Sequence, residues 1–141
     1  MNPTYRAYVD GSWIAGRIGY GAVILDAQDQ VLAQFSGPVP EDYAAGTRQV
    51  AGELVATGQV VRWCEQQGIA ELHLYFDYLG IQQWATGGWK AKLDLTRRYR
   101  AFMQQTPVRL YFHKVKAHSG DYWNEYADQL AKQGASQARP A

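Results

Sequence analysis

Tyr5-Arg6-Ala7-Tyr8-Val9-Asp10-Gly11-Ser12, then Ile18-Gly19-Tyr20-Gly21-Ala22-Val23-Ile24-Leu25-Asp26, then Gln30-Val31-Leu32-Ala33-Gln34-Phe35-Ser36-Gly37 are rich in Tyr, Val, Ile and Leu. Residues of that kind, punctuated by Gly16-Arg17 and by Gln28-Asp29, read as three strands joined by tight turns, 5–12, 18–26 and 30–37. Short connections of this type make neighbouring strands antiparallel. From Thr47 to about Gln67 the pattern changes: Val50, Leu54, Val61 and Cys64 recur near helical spacing, and Gly68 follows as a stop.

Downstream the two periods alternate. Glu71 to Asp77 reads as a strand with Leu72, Leu74 and Phe76 on one face and His73, Tyr75 and Asp77 on the other. A short helix is expected over 81–86, ending at Gly87-Gly88, and a longer one over 93–105, stopping before Pro107. Val108 to His113 alternates as a strand, and Asp121 is placed to cap a last helix after Gly120. This order predicts an α/β domain built on a mixed sheet with helices packed on its faces. The 141 residues suit one domain, expected over 1–135, with 136–141 as a frayed tail.

Composition excludes several classes. Although 47% of the residues are apolar, no run approaches the ~20 residues of a membrane-spanning helix, so no membrane association is expected. The N-terminus shows no basic segment followed by an apolar run, which makes a cytoplasmic location the expectation. Cys64 has no second cysteine to pair with and no zinc-type spacing around it; it reads as a small core residue. The net charge of +1 hides a segregation. Between 90 and 116, eight basic residues (Lys90, Lys92, Arg97, Arg98, Arg100, Arg109, Lys114 and Lys116) stand against Asp94 alone, a local +7 against −6 elsewhere. A solvated helix face explains part of this; a phosphate-backbone contact would also use it.

Five residues stand out chemically. Asp10 interrupts an apolar strand, where aspartate is depleted, or else serves a turn beside Gly11. Asp77 finishes a strand of large apolar residues, either at a site on the sheet edge or as a cap for the short helix. Glu53 flanks the buried stripe of its helix and needs a partner there. Asp128 shares a helix face with Asn124 at i, i+4, unless it is simply solvated. His118 lies in the small loop Lys116-Ala117-His118-Ser119-Gly120-Asp121, where an imidazole either relays protons or sits idle on the surface. Hard divalent cations want oxygen ligands, and two Mg2+ about 4 Å apart need several carboxylates converging from different elements.

Tyr8-Val9-Asp10-Gly11-Ser12, Ala51-Gly52-Glu53-Leu54, Phe76-Asp77-Tyr78 and Lys114-Val115-Lys116-Ala117-His118-Ser119-Gly120-Asp121 through Asn124-Glu125-Tyr126-Ala127-Asp128 resemble, in order, the signatures of type 1 ribonuclease H. The resemblance implies a five-stranded mixed sheet, its first three strands antiparallel, with helices on both faces. It implies hydrolysis of the RNA strand of RNA/DNA hybrids, leaving 5′-phosphate and 3′-hydroxyl ends. Asp10, Glu53, Asp77 and Asp128 would hold two Mg2+, with Mn2+ as a substitute, and His118 would assist the reaction or product release. Gly11, Gln49 and Arg48 resemble positions that meet the RNA backbone, the RNA 2′-hydroxyl or a base edge, and a DNA phosphate; Ser12, Lys90 and Asn124 complete the expected substrate contacts. No protein partner is implied, and a monomer is expected.

Three features depart from better-known members. Tyr78 stands where a serine usually follows the third carboxylate, a pattern similar to the viroplasmin-related subgroup. The stretch between Trp84 and Trp89 is too short for a basic protruding helix, and no hybrid-binding domain is expected before Tyr5. Thr47-Arg48-Gln49-Val50-Ala51-Gly52 lacks the paired asparagines common in the family. Trp84 and Trp89 read as core residues, with packing along the DNA strand as the alternative. Two competing functions share the fold: a catalytically silent binding module, and another nuclease such as a transposase or junction resolvase.

Overall fold

A computed structural model describes residues 4–40, 47–116 and 120–137. Three strands come first, β1 (Tyr5–Ile14), β2 (Arg17–Asp26) and β3 (Val31–Val39), followed by helix α1 (Gln49–Gln66) and strand β4 (Glu71–Phe76). Helices α2 (Gly80–Thr86) and α3 (Asp94–Gln105), strand β5 (Arg109–Lys114) and helix α4 (Tyr122–Ser136) complete the order. The sheet runs β3-β2-β1-β4-β5, with β1, β2 and β3 antiparallel and β4 parallel to both β1 and β5. This is the expected five-stranded mixed sheet.

One turn differs from expectation. β1 and β2 pair as far as Ile14 and Arg17, so the hairpin loop is Ala15-Gly16 and not Gly16-Arg17. Both loop residues have positive φ, 52° and 78°, as a two-residue loop needs to match the right-handed twist of its strands. The strands run past Ser12 because the last rungs extend into solvent, where Trp13 and Ile14 are exposed. β3 lies at a sheet edge, which is why it tolerates Pro38 within its length.

Two helical layers cover the sheet. On one face Ala7, Val9, Leu72, Leu74 and Phe76 pack with Leu54, Val60, Val61 and Cys64 of α1 in the larger core, which confirms Cys64 as a buried core thiol. On the other, Tyr8, Val23 and Leu25 pack with Ala127 of α4, and Trp123 and Tyr126 close over them. Among the described residues no helix is long and apolar enough to cross a membrane.

Two glycine contacts decide where the functional groups land. A Cβ on Gly52 of α1 would stand 2.9 Å from the Cα of Gly11 in β1, so these backbones touch. On the opposite face a Cβ on Gly21 would run into the Ala127 carbonyl and the Ala131 amide of α4. Gly11 adjoins Asp10, Gly52 adjoins Glu53, and Gly21 is the cross-strand partner of Asp10. Both helices therefore press against the sheet backbone beside Asp10.

Candidate active site

The parallel pairing of β1 with β4 covers only Arg6–Tyr8 and His73–Tyr75; beyond it the two strands diverge. Asp10 and Asp77 each lie two residues past the last pair, Tyr8 and Tyr75, whose rings stack 4.6 Å apart. The fork between the strands thus opens between two aspartates. α1 brings Glu53 to the same place, and one oxygen from each of Asp10, Glu53 and Asp77 lies within 4.8 Å of the others. From the other face Asp128 of α4 comes up to Asp10, close enough for the two carboxyls to share a proton.

For the four carboxylates the alternatives left by the sequence can be compared with their surroundings. Asp10 is paired inside β1 and 7% exposed, so it is no turn residue. The N-cap position of α2 is Leu79, whose side chain makes no capping bond, and Asp77 stands two residues before it. Glu53 is buried, and its Oε1 accepts from the backbone N–H of Asp77 (3.2 Å) and of Tyr78 (3.4 Å). Those two donors fix the glutamate to the end of β4. Asp128 is largely buried and accepts from Lys132 Nζ at 2.9 Å. Lys132 escaped the sequence reading, although Asp-to-Lys at i, i+4 on a helix was a usable signal.

Burial and mutual repulsion govern the charges. Asp10 is pushed up to about 8, first by desolvation, then by the Asp77 carboxylate and by Asp128, against one lowering bond from the Gly11 N–H. Glu53 is also raised, by desolvation and then by Asp77 and Asp10. Carboxylates held together against such repulsion call for a positive counter-charge. Ligands around one octahedral Mg2+ at about 2.1 Å stand about 3.0 Å apart when adjacent and about 4.2 Å when opposite, so the three oxygens would draw closer together to share one ion. All the donors are hard oxygens, which suits Mg2+ or Mn2+.

The remaining expected residues are placed as follows. Gln49 and Arg48 are exposed at the start of α1, and the Arg48 guanidinium lies 4.8 Å over the Trp13 ring. Ser12 is buried on β1, and Gly11 presses on α1 at Gln49 and Glu53. Asn124 is buried in the first turn of α4, where Asp121 caps the helix by accepting from the Trp123 and Asn124 N–H groups, as expected. His118 lies outside the described residues. Trp84 is half-buried against the core, but Trp89 is 37% exposed, contrary to the core reading. It forms an aromatic trio with Trp84 (5.6 Å) and Tyr78 (6.1 Å) directly after Asp77, because the loop after Gly87 leaves it beyond the reach of the sheet. Lys90 follows it, also exposed.

Comparison with known proteins agrees. The family described as RNase H matches residues 2–136. A ribonuclease H of Verminephrobacter eiseniae is 33% identical over 93% of this chain and 90% of its own length. The RNase H1 of Halobacterium salinarum superposes with a TM-score of 0.77 at 19% identity, covering 95% of this chain and 98% of that one. LC11-RNase H1, solved in complex with RNA/DNA hybrid, gives 0.76 at 20% identity over 94% and 97%. The chain belongs to the ribonuclease H family.

Proposed function

We propose that the chain hydrolyses the RNA strand of RNA/DNA hybrids endonucleolytically, with Asp10, Glu53, Asp77 and Asp128 holding two Mg2+, for which Mn2+ can substitute. The observation that carries the reading is the convergence of three carboxylates from β1, α1 and the end of β4 within 4.8 Å. When bound, two divalent ions there supply a nucleophilic water and stabilise the departing oxygen. The protein's part is to fix the ligands: Glu53 by two backbone donors, Asp128 by Lys132 and Asp10 by its place in the strand.

In this reading His118 moves protons near the reacting phosphate, and Gly11, Ser12, Arg48, Gln49, Lys90 and Asn124 contact the hybrid. Residues 1–135 act as one catalytic unit. The buried, unpaired Cys64 suits a reducing compartment, in keeping with a cytoplasmic enzyme.

The test is cleavage of end-labelled RNA/DNA hybrid, duplex DNA, duplex RNA and a four-way DNA junction in Mg2+. Hybrid alone is cut, in the RNA strand, to 5′-phosphate and 3′-hydroxyl ends. Asp10→Asn and Asp77→Asn keep the shape of the site and lose activity by orders of magnitude. Cutting of the junction, or full activity in Asp10→Asn, would refute the assignment.

A further inference from the structure

Helix α1 carries a glycine that its packing does not call for. Gly58 stands in the interior of the helix, where glycine is the poorest former after proline. At Gly11, Gly21 and Gly52 a Cβ would run into backbone atoms of a neighbouring element, whereas at Gly58 it would meet nothing within 4 Å. The missing side chain borders a cavity of about 320 Å³ between α1 and α3, at the lower end of the range of about 300–1,000 Å³ typical of small-molecule sites. The cavity stands apart from the carboxylates: none of Asp10, Glu53, Asp77 and Asp128 lines it.

Its walls and its mouth differ in chemistry. Leu54 of α1 and Leu95 and Tyr99 of α3 are buried and face it, with half-buried Phe102 beside them. Two exposed arginines, Arg62 and Arg98, also line it and so stand at its opening. Arg98 is held by Asp94 at 3.0 Å. The Arg62 guanidinium lies 5.8 Å over the Phe102 ring and makes no ion pair among the described residues. Glu65, three residues further along α1, accepts from the Thr106 hydroxyl at 2.5 Å and faces that residue instead. A ring beneath a guanidinium attracts the cation but uses none of its N–H donors, which stay available to an anion. The planar fork of arginine matches a carboxylate, and the buried walls favour apolar surface removed from water.

We propose that the cavity between α1 and α3 binds a small amphipathic anion, with its apolar body against Leu54, Leu95 and Tyr99 and its carboxylate on Arg62. An aliphatic or an aromatic acid would satisfy this chemistry.

Calorimetric titration of octanoate and of naphthoate into the full chain, together with thermal melting, tests it, with the two corresponding amides as uncharged counterparts. At least one of the acids binds one-to-one and raises the melting temperature as its concentration rises, and the tighter of the two identifies the body as aliphatic or aromatic. Its amide binds about tenfold or more weakly, because it cannot make the charge-assisted pair. Arg62→Gln brings the affinity for the acid down to about that of the amide and leaves the amide unaffected. Gly58→Leu fills the cavity and replaces a poor helix former, so it melts no lower than the parent and binds neither acid. Failure of both acids to bind the parent, equal affinity for acid and amide, or parental affinity in Gly58→Leu overturns the proposal. If Gly58→Leu does not fold, parental affinity for the acid in Arg62→Gln overturns it instead.

Discussion

Asp10 shows how a single side chain can be set against the fold that holds it. Its carboxyl rises from 3.8 to about 8 in the metal-free protein, so the fold prefers it protonated. A group raised in this way contributes stability that is complete below its unfolded value and lost as pH climbs through the folded one. The metal-free parent should therefore lose stability between about pH 4 and pH 8 relative to Asp10→Asn, which has nothing to ionise there. Melting both proteins in chelator at pH 5 and pH 8 checks this: the advantage of the variant should widen with pH and shrink when Mg2+ is added. An advantage that does not change with pH would show that the carboxyl is not held under repulsion. His118→Ala should be slow but active, since one positioned proton donor contributes about 10²- to 10⁴-fold; a single-turnover rate equal to the parent's would remove the histidine from the reaction. At this scale Asp10 in a strand and Glu53 beside a buried stripe stood out as residues that need a reason, whereas Asp77 read equally as a cap and Asp128 as a solvated helix residue until the resemblance to ribonuclease H joined the four. The backbone donors that clamp Glu53 were not, because every residue but proline has an N–H and nothing in the sequence marks which ones the chain will aim at a carboxylate.

The elements are held in place by small contacts on which the site depends. α4 crosses β2 so closely at Gly21 that a methyl group there would meet the backbone at Ala127 and Ala131. Overpacking of this kind typically costs about 1–3 kcal/mol, and the relief available is to lift α4, which carries Asp128 away from Asp10. Gly21→Ala should lower the denaturation midpoint and also weaken Mn2+ binding, whereas Gly58→Ala, which meets nothing within 4 Å in the middle of α1, should hold or raise stability with no effect on metal. Equal Mn2+ affinity in Gly21→Ala and the parent would mean that the helix does not set the Asp128 position. The order and type of the nine elements among the described residues could be read from the periods of the sequence. The β1–β2 loop was read one residue late because Gly16 is the obvious turn residue, while its partner at positive φ is Ala15, a residue type that gives no turn signal. The length of that hairpin was also hidden, since Trp13 and Ile14 prolong the strands by pairing into solvent and not by burial.

For the molecule as a whole, the +7 block from Lys90 to Lys116 is contiguous in sequence but divided in space. Arg98 pairs with Asp94 at 3.0 Å and lines a cavity of about 320 Å³ between α1 and α3, together with Arg62 and Phe102. Arg109 lies 5.4 Å over Tyr111 on the far part of the sheet, and Arg100 turns toward Gly87 at the end of α2. Lys90 and Lys92 differ, because both follow Trp89, whose ring belongs to the trio that starts at Tyr78, next to the Asp77 carboxylate. The density of charge was legible in the sequence; its division was not, since it depends on the phase of α3 and on which face of the sheet each strand residue takes. Each phosphate neutralised contributes roughly −0.9 to the slope of log affinity against log salt. Changing Lys90 and Lys92 to Gln should therefore flatten that slope by up to about 1.8 for hybrid binding measured in Ca2+, and raise KM in Mg2+ with kcat nearly unchanged, because such contacts bind ground and transition states alike. Changing Arg98 and Arg109 to Gln should leave both slope and KM where they were. If the two double variants behave alike, the division seen in the fold has no bearing on substrate, and the hybrid is held by the basic block as a diffuse field; if only the second pair flattens the slope, the hybrid lies across α3 and β5 and not along the loop beside Asp77.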